Sequence, residues 1–246
     1  MRPGAIALVT GANRGIGLET ARQLALRGAV VLLGSRDAGR GADAARALER
    51  DGVRGVTPVA VDVTDTGSVA ALAARLRREH GRLDVLVNNA GVFAGAAAAD
   101  TGADLVRGLL DVNVAGAVAM IHALLPLLAR SPAPRIVNVS STTASFGLTV
   151  SGAELPGDAS VRLAYTASKA ALNMLTVQYG LAFREDPGLK HVKINSASPG
   201  WTATAMNGFR APRTVQEGAR SLVALATLPD DGPSGGFFDE HGALAW

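Results

Sequence analysis

The chain has 246 residues, a formal net charge of +3 and no cysteine. Its length fits one domain, residues 1–246, and its 48% hydrophobic content is typical of a globular protein. The lack of cysteine excludes disulfides, thiolate nucleophiles and cysteine metal sites. The basic residues are scattered, so we expect no nucleic-acid partner, and the first residues lack a secretory signal, so we expect a cytoplasmic protein.

Segment 5–17, AIALVTGANRGIG, organises the rest of the chain. Its first half is apolar and strand-like, and helical spacing begins at Ile16. Gly11, Gly15 and Gly17 stand where the strand changes to a helix, and a tight turn there needs residues that tolerate positive φ. The N–H groups and the dipole of a helix that begins near Gly15 favour a bound pyrophosphate. The alternative is an ordinary turn between a strand and a helix.

Strands and helices alternate along the following residues. We predict strands over 29–34, 56–61, 84–87, 135–141, 192–197 and 235–239, and helices over 39–51, 66–80, 162–184 and 214–228. Continuous apolar strands, such as AVVLLG at 29–34, are typical of parallel sheets that are buried on both faces. The predicted fold is therefore α/β, a doubly wound parallel sheet of about seven strands with helices on both faces.

Residues 112–129 carry no formal charge and are numerous enough to raise a transmembrane alternative. Asn113, Gly116, His122 and Pro126 interrupt this segment, which lies within the regular alternation of strands and helices. We therefore predict no membrane partner, and instead a helix buried between the sheet and a neighbour such as a second subunit.

Tyr165 and Lys169 lie four residues apart on a predicted helix and therefore share one face. A free tyrosine has a pKa of about 10, and a nearby ammonium lowers that pKa, which makes the pair a usable general acid–base. Such pairs are more often ordinary surface residues. Here Ser140, Ser141 and segment 88–91 lie at the carboxyl ends of predicted strands, at the edge where sheets of this class bind ligands.

Lysine is rare in this chain. Lys169, Lys190 and Lys193 are the only lysines among its 24 basic residues, and all the others are arginine. A lysine kept against this bias is a candidate for a chemical role, which draws attention to Lys169.

Five motifs in order resemble the short-chain dehydrogenase/reductase family, in particular its carbonyl-reductase-like members, over nearly the whole chain. They are TGANRGIG at 10–17, NNAG at 88–91, Asn113, Ser141 with YTASK at 165–169, and Pro199 with Gly200. The resemblance implies a single-domain Rossmann-type fold and a catalytic set of Asn113, Ser141, Tyr165 and Lys169.

The resemblance also implies a role for each catalytic residue. Tyr165 would protonate the substrate carbonyl oxygen as hydride arrives, and Ser141, with Ser140 as its alternative, would hydrogen-bond that oxygen. Lys169 would lower the pKa of Tyr165 and hold the nicotinamide ribose. Asn113 would support a water that relays protons to Lys169.

A dinucleotide site follows from the same resemblance. Asp62 and Val63 would flank the adenine, and Thr204 would contact the carboxamide. The residues expected to bind the cofactor are Gly11, Asn13, Arg14, Gly15, Ile16, Gly17, Ser35, Arg36, Asp62, Val63, Asn89, Ala90, Gly91, Tyr165, Lys169, Pro199, Gly200, Thr202 and Thr204.

The residues after the second strand bear on the choice between NAD and NADP. An NAD site places an acidic side chain there, where this chain has Ser35 and Arg36. Two guanidinium groups, those of Arg14 and Arg36, suit a 2′-phosphate. We therefore predict NADP(H) as the cofactor. Asp37 is the counter-evidence, and a merely solvated Arg36 is the alternative.

A predicted lid, residues 201–213, and scattered aromatic residues point to an apolar ketone or aldehyde substrate, although each side chain could equally belong to the core. The residues expected to bind the substrate are Phe93, Ser141, Phe146, Trp201, Met206 and Phe209. The histidines show no metal spacing, so we expect no metal.

Ser141 and Tyr165 lie 24 positions apart, which resembles the insertion of carbonyl-reductase-like members. That insertion can cover the helix face through which other members dimerise. A homodimer, a homotetramer and a monomer therefore all remain open.

Three functions remain open at this point. The first is NADPH-dependent reduction of a ketone or aldehyde, and the second is NAD-dependent oxidation of an alcohol. The third is a non-enzymatic NADP(H) sensor, which would have no need of Ser141, Tyr165 and Lys169 together.

Overall fold

A computed structural model describes residues 2–246, in which one eight-stranded sheet carries all the strands. The strands are β1 (Ile6–Val9), β2 (Val30–Ser35), β3 (Val56–Ala60), β4 (Val85–Asn88), β5 (Arg135–Val139), β6 (Lys193–Ala197), β7 (Phe237–Asp239) and β8 (Gly242–Ala243). Their order is β3-β2-β1-β4-β5-β6-β7-β8, and only the β7–β8 pair is antiparallel within residues 2–246. The predicted fold class is confirmed, with β8 as the added strand.

The helices that cover the sheet are α1 (Gly15–Leu26), α2 (Ala38–Arg50), α3 (Thr66–Glu79), α4 (Ala103–Leu110), α5 (Gly116–Leu128), α6 (Phe146–Val150), α7 (Leu163–Glu185) and α8 (Val215–Ala226). Alternate residues of each central strand enter different cores, because side chains alternate across a strand. Leu8 packs in the core that receives α3, α5 and α7, whereas Val9 packs in the core of α1, α2 and α8. The sheet is thus buried on both faces.

The strand order reverses between β1 and β4, which places a crevice at their carboxyl ends. Thr10 follows β1, Asn89 follows β4 and Ser140 follows β5, so the predicted motifs meet at this edge. The backbone N–H of Thr10 donates to Val87 O at 3.0 Å, which brings the first two motifs together.

The helix that contains the uncharged residues 112–129 begins earlier in the chain than predicted. Ala103–Leu128 forms α4, a π-helical turn at Asp111–Ala115 and α5. By length and composition alone this helix could cross a membrane. However, Met120, Ile121 and Leu124 are completely buried against the sheet. Other positions, including His122 and Pro126, are exposed in the single chain, so burial on all sides is not found.

Candidate active site

The glycine turn is held against the segment that follows β4. Gly11 has φ +61°, and a Cβ there would lie 2.9 Å from Ala90 Cα. Asn89 Nδ2 donates to Thr10 O at 2.8 Å and to Gly11 O at 3.1 Å. The Thr10 hydroxyl accepts the backbone N–H groups of Asn89 and Ala90, both at 3.0 Å. The turn is therefore fixed in shape before any ligand binds.

We expect Gly17→Ala to weaken both the fold and nucleotide binding. An added Cβ would lie 2.3 Å from Asn89 Nδ2, so the amide must leave its two acceptors. Leaving buried polar groups unpaired lowers the free energy of unfolding by about 1–3 kcal/mol. Urea denaturation measures the loss. Gly108→Ala is the control, because a Cβ at this α4 position meets open space. A Gly17→Ala variant as stable as Gly108→Ala would contradict the prediction.

Tyr165 and Lys169 project from α7 beneath the crevice. Lys169 is only 4% exposed, and its Nζ donates to Val139 O at 2.7 Å and lies 5.9 Å from the centroid of the Tyr165 ring. The Tyr165 ring packs edge-on against Phe93, with their centroids 5.2 Å apart. The two reactive groups share one face of the helix, as their spacing predicts.

Burial sets the ionisation of this pair. It raises the pKa of Tyr165 to about 12, with the Ser141 side chain acting in the opposite direction, and it lowers the pKa of Lys169 to about 8. The pKa of Tyr165 is thus raised in the ligand-free protein, whereas the spacing of the pair predicts a lowered one, and the effect of Lys169 on the tyrosine stays a prediction. The ammonium is directed at the Val139 carbonyl, and desolvation of the phenolate has the larger effect. Tyr165 is consequently a protonated acid at neutral pH.

The two serines after β5 are distinguished by their surroundings. Ser140 is 2% exposed, and its hydroxyl points to the Lys169 carbonyl at 3.5 Å. Ser141 is partly exposed, and its Oγ lies 3.0 Å from Thr143 Oγ1. Of the two side chains, it is that of Ser141 that lowers the pKa of Tyr165. The geometry thus favours Ser141 as the partner of the phenol.

Asn113 lies in the π-helical turn, a distortion that frequently marks functional sites. Its Oδ1 accepts from Val92 N at 2.9 Å, and its Nδ2 donates to Val92 O and Ser168 Oγ, both at 3.0 Å. A Cβ at Gly91 would lie 3.2 Å from Asn113 Oδ1 and 3.5 Å from Lys169 Nζ. Asn113 is buried behind the cavity wall and joins the β4 segment to α7.

A cavity of about 1020 Å³ opens along the carboxyl edge of the sheet. Apart from Ser35, all the predicted cofactor residues line it: Gly11, Asn13, Arg14, Gly15, Ile16, Gly17, Arg36, Asp62, Val63, Asn89, Ala90, Gly91, Tyr165, Lys169, Pro199, Gly200, Thr202 and Thr204. Ser35 is 2% exposed, and its hydroxyl donates to Asp37 O at 2.8 Å, so it is held away from the cavity.

Most of the predicted substrate residues also line the cavity, and one lies outside it. Phe93, Ser141, Trp201, Met206 and Phe209 line the cavity. Phe146 lies outside it, on α6 with 71% of its surface exposed, so its assignment to the substrate site is wrong. The long spacing between Ser141 and Tyr165 includes this short helix.

Sequence reasoning missed the contribution of the insertion to the cavity wall. Pro156, Asp158 and Arg162 line it, and Arg162 Nη1 donates to Pro156 O at 2.7 Å. The backbone N–H of Ala96 donates to Val161 O at 3.2 Å, which ties the insertion to the segment after β4. The long spacing between Ser141 and Tyr165 was the available signal.

The charges near Arg36 bear on the ribose end of the cavity. Asp37 caps α2, where its Oδ1 accepts from Arg40 N at 3.0 Å and its Oδ2 lies 3.4 Å from Arg40 Nε. Hydrogen bonds from Thr64 lower the pKa of Asp62, with a smaller contribution from Arg36. Asp37 is therefore engaged by its own helix, and Arg36 is exposed at the cavity.

The model of one protein family, the short chain dehydrogenases, matches residues 5–214. The chain belongs to the short-chain dehydrogenase/reductase family. It is therefore an oxidoreductase, as the motifs predict. Over 276 aligned positions it is 33% identical to bovine carbonyl reductase [NADPH] 1, with 98% of each chain covered.

Another relative is named for a different substrate, salutaridine. The chain is 33% identical to salutaridine reductase of Papaver bracteatum, covering 95% of this chain and 93% of the relative. Among solved structures, the NADPH-bound carbonyl reductase from chicken fatty liver superposes with a TM-score of 0.84 at 29% identity, with both chains covered completely. This short-chain dehydrogenase/reductase thus shares its fold with carbonyl reductases and matches them over nearly their whole length.

Among residues 2–246, no group of three or more histidine, aspartate or glutamate side chains could hold a metal ion.

Proposed function

We propose that the protein reduces a ketone or aldehyde to an alcohol with NADPH. The observation that carries this proposal is the position of Tyr165, a protonated acid that shares one cavity with Ser141, Lys169 and the glycine turn. An acid of this kind suits carbonyl reduction, because the developing alkoxide needs a proton.

The cavity fits a phosphorylated dinucleotide. Side chains at Gly11 and Gly17 would collide with segment 88–91, so the turn keeps its N–H groups open to a pyrophosphate. Within the described chain, the Arg14 side chain makes no capping hydrogen bond to the first turn of α1. Its guanidinium, like that of Arg36, is exposed at the cavity. Two planar cations at one end favour a 2′-phosphate, and the NADPH-bound relative agrees with this choice.

When bound, NADPH supplies the hydride that the reduction requires. Tyr165 holds the proton that its hydroxyl passes to the carbonyl oxygen, and Ser141 orients that oxygen by a hydrogen bond. Lys169, mostly cationic at neutral pH, would stabilise the phenolate left behind and hold the nicotinamide ribose. Asn113 fixes Val92 and Gly91 beside Lys169.

The substrate end of the cavity is apolar. Phe209 is 70% and Met206 49% exposed, and Phe93 and Trp201 also present large apolar surfaces to the cavity. Apolar side chains that are open to solvent in a concave site bind an apolar ligand favourably, because binding removes their surface from water. We therefore propose an apolar carbonyl compound as the substrate.

We expect Arg36→Ala to raise the Kd for NADPH by about 10- to 100-fold, the effect of losing a hydrogen bond to a charged group, which is worth about 1.5–3 kcal/mol. The Kd for NADH, which lacks the 2′-phosphate, should change less than about threefold. Fluorescence titration of each nucleotide measures both constants.

Arg40→Ala is the matched control, because Arg40 is exposed nearby but pairs with Asp37. Equal losses for NADPH and NADH, or tighter NADH binding by the unmodified protein, would contradict the NADPH assignment. The second result would instead support oxidation of an alcohol with NAD.

A further inference from the structure

The segment 201–213 links the two ends of the cavity. Trp201, Met206 and Phe209 line the substrate end. Thr204 lies above the glycine turn, where a Cβ at Gly15 would be 3.6 Å from Thr204 Cγ2. The position of this segment therefore affects nucleotide and substrate together.

The interior of the segment is held by its own hydrogen bonds. Asn207 Nδ2 donates to Thr202 O at 2.8 Å, and Asn207 Oδ1 accepts from Thr204 N at 3.1 Å. Phe209 has φ +60°, a strained conformation for a bulky residue, and its N–H donates to Thr204 O at 2.9 Å. The segment is consequently a preformed unit that joins the rest of the chain at its two ends.

Both ends meet at Arg213. Its backbone N–H donates to Trp201 O at 3.4 Å, and its carbonyl accepts from Ala203 N at 2.8 Å. Its side chain lies against the loop after β6, because a Cβ at Gly200 would be 2.9 Å from Arg213 Cδ. Whatever holds Arg213 therefore holds the base of segment 201–213.

Glu240, between β7 and β8, holds this arginine. Its carboxylate pairs with Arg213 Nη1, and its side chain is only 15% exposed. Arg220 Nη1 lies 3.3 Å from the other oxygen, but the Arg220 side chain is 60% exposed and borders the cluster from outside. His241 is more exposed still, at 78%, with Nε2 at 3.5 Å. Glu240 thus makes one sheltered ion pair, with Arg213, and two peripheral contacts.

We propose that Glu240 is a positioning residue, which acts through Arg213 to hold segment 201–213 over the nucleotide and the substrate. The inference rests on the proposed function for its effect on binding. Removing the carboxylate takes away the ion-pair partner of the partly buried Arg213, whose Nη2 keeps only its hydrogen bond to Glu217 O at 3.2 Å, and this penalty falls on the observed position of the segment. The reacting groups on α7 are untouched.

The first test uses trypsin and needs no catalysis. Arg210 lies within the segment, so its cleavage reports how often the segment opens. We expect Glu240→Gln to speed cleavage after Arg210 at least about fivefold, whereas Arg220→Ala changes it less than about twofold, since it removes only an exposed contact. The melting temperature of each variant is measured alongside.

The second test separates binding from chemistry. Glu240→Gln should raise the Kd for NADPH and the KM for a carbonyl substrate by about five- to tenfold, equivalent to about 1.0–1.4 kcal/mol. The single-turnover rate of hydride transfer at saturation should change less than about threefold, because Tyr165 keeps its place. The Arg213→Gln/Glu240→Gln double variant should be no weaker than Arg213→Gln alone.

Unchanged cleavage in Glu240→Gln would overturn the proposal, and so would additive effects in the double variant. Glu240→Gln could lower the melting temperature while cleavage after Arg210 is no faster than global unfolding explains. Glu240 would then have only a structural role, and the proposal would again be overturned. If the unmodified protein bound no NADPH, the proposed function would fail, while the cleavage comparison would still decide the role of Glu240.

Discussion

Tyr165→Phe should lower kcat for carbonyl reduction by about 10³-fold or more, within the range that general acid catalysis contributes. The substitution removes one hydroxyl and keeps the ring against Phe93, so the cavity retains its shape. The Kd for NADPH should therefore change less than about threefold. Steady-state kinetics and fluorescence titration on the same preparation measure the two quantities.

Tyr179→Phe is the matched control, because Tyr179 is the only other tyrosine and packs against Phe183 on the far part of α7. It should keep nearly full activity. Substantial turnover by Tyr165→Phe would refute the acid role. A variant that bound NADPH and showed no functional defect would support a sensor instead of an enzyme.

Lys169→Met should make the protein more stable while lowering kcat at least about 100-fold. Burial lowers the pKa of Lys169 from 10.5 to about 8. The unfolded chain therefore binds the proton more tightly, and the charged lysine costs stability below pH 8. A pKa shift of this size corresponds to about 3 kcal/mol of unfolding free energy. The variant also loses the hydrogen bond to Val139 O, which reduces its gain in stability by about 1 kcal/mol.

The stability difference between Lys169→Met and the unmodified protein should depend on pH. The gain in unfolding free energy over the unmodified protein should be largest at pH 7 and shrink as pH rises from 8 towards 10.5, where the folded lysine is neutral. Urea denaturation between pH 7 and 9.5 measures it, below the range in which Tyr165 titrates. Lys190→Met, at an exposed site, should show neither change. A pH-independent difference would rule out a titrating Lys169 as its source.

The sheet and most of the site could be predicted because their signals are local. Apolar runs such as AVVLLG mark strands buried on both faces, and Thr10, Asn89 and Ser140 each follow such a strand. Strand polarity then brings these residues to one edge. The added β8 has two residues, too few to show a period of two.

The predictions that the structure corrects depend on contacts in the folded protein, which no short sequence pattern encodes. Phe93 and Phe146 each follow a strand that ends at the cavity, β4 and β5, but only Phe93 lines it, because Phe146 lies on the exposed α6. The spacing of Tyr165 and Lys169 placed them on one face, yet it could not show that burial raises the pKa of Tyr165. Arg213 and Glu240 lie 27 positions apart in the chain and meet only in the folded protein.

The ionisation of Lys169 also makes it a handle for chemical labelling. Acylating reagents attack the neutral amine, and a pKa of about 8 leaves far more of it at pH 8 than an ordinary lysine offers. Lys190 and Lys193 are its only lysine competitors, and neither lines the cavity. An amine-reactive probe at mildly basic pH should therefore modify Lys169 ahead of the other two lysines, and protection by a bound nucleotide would turn the same modification into a binding assay.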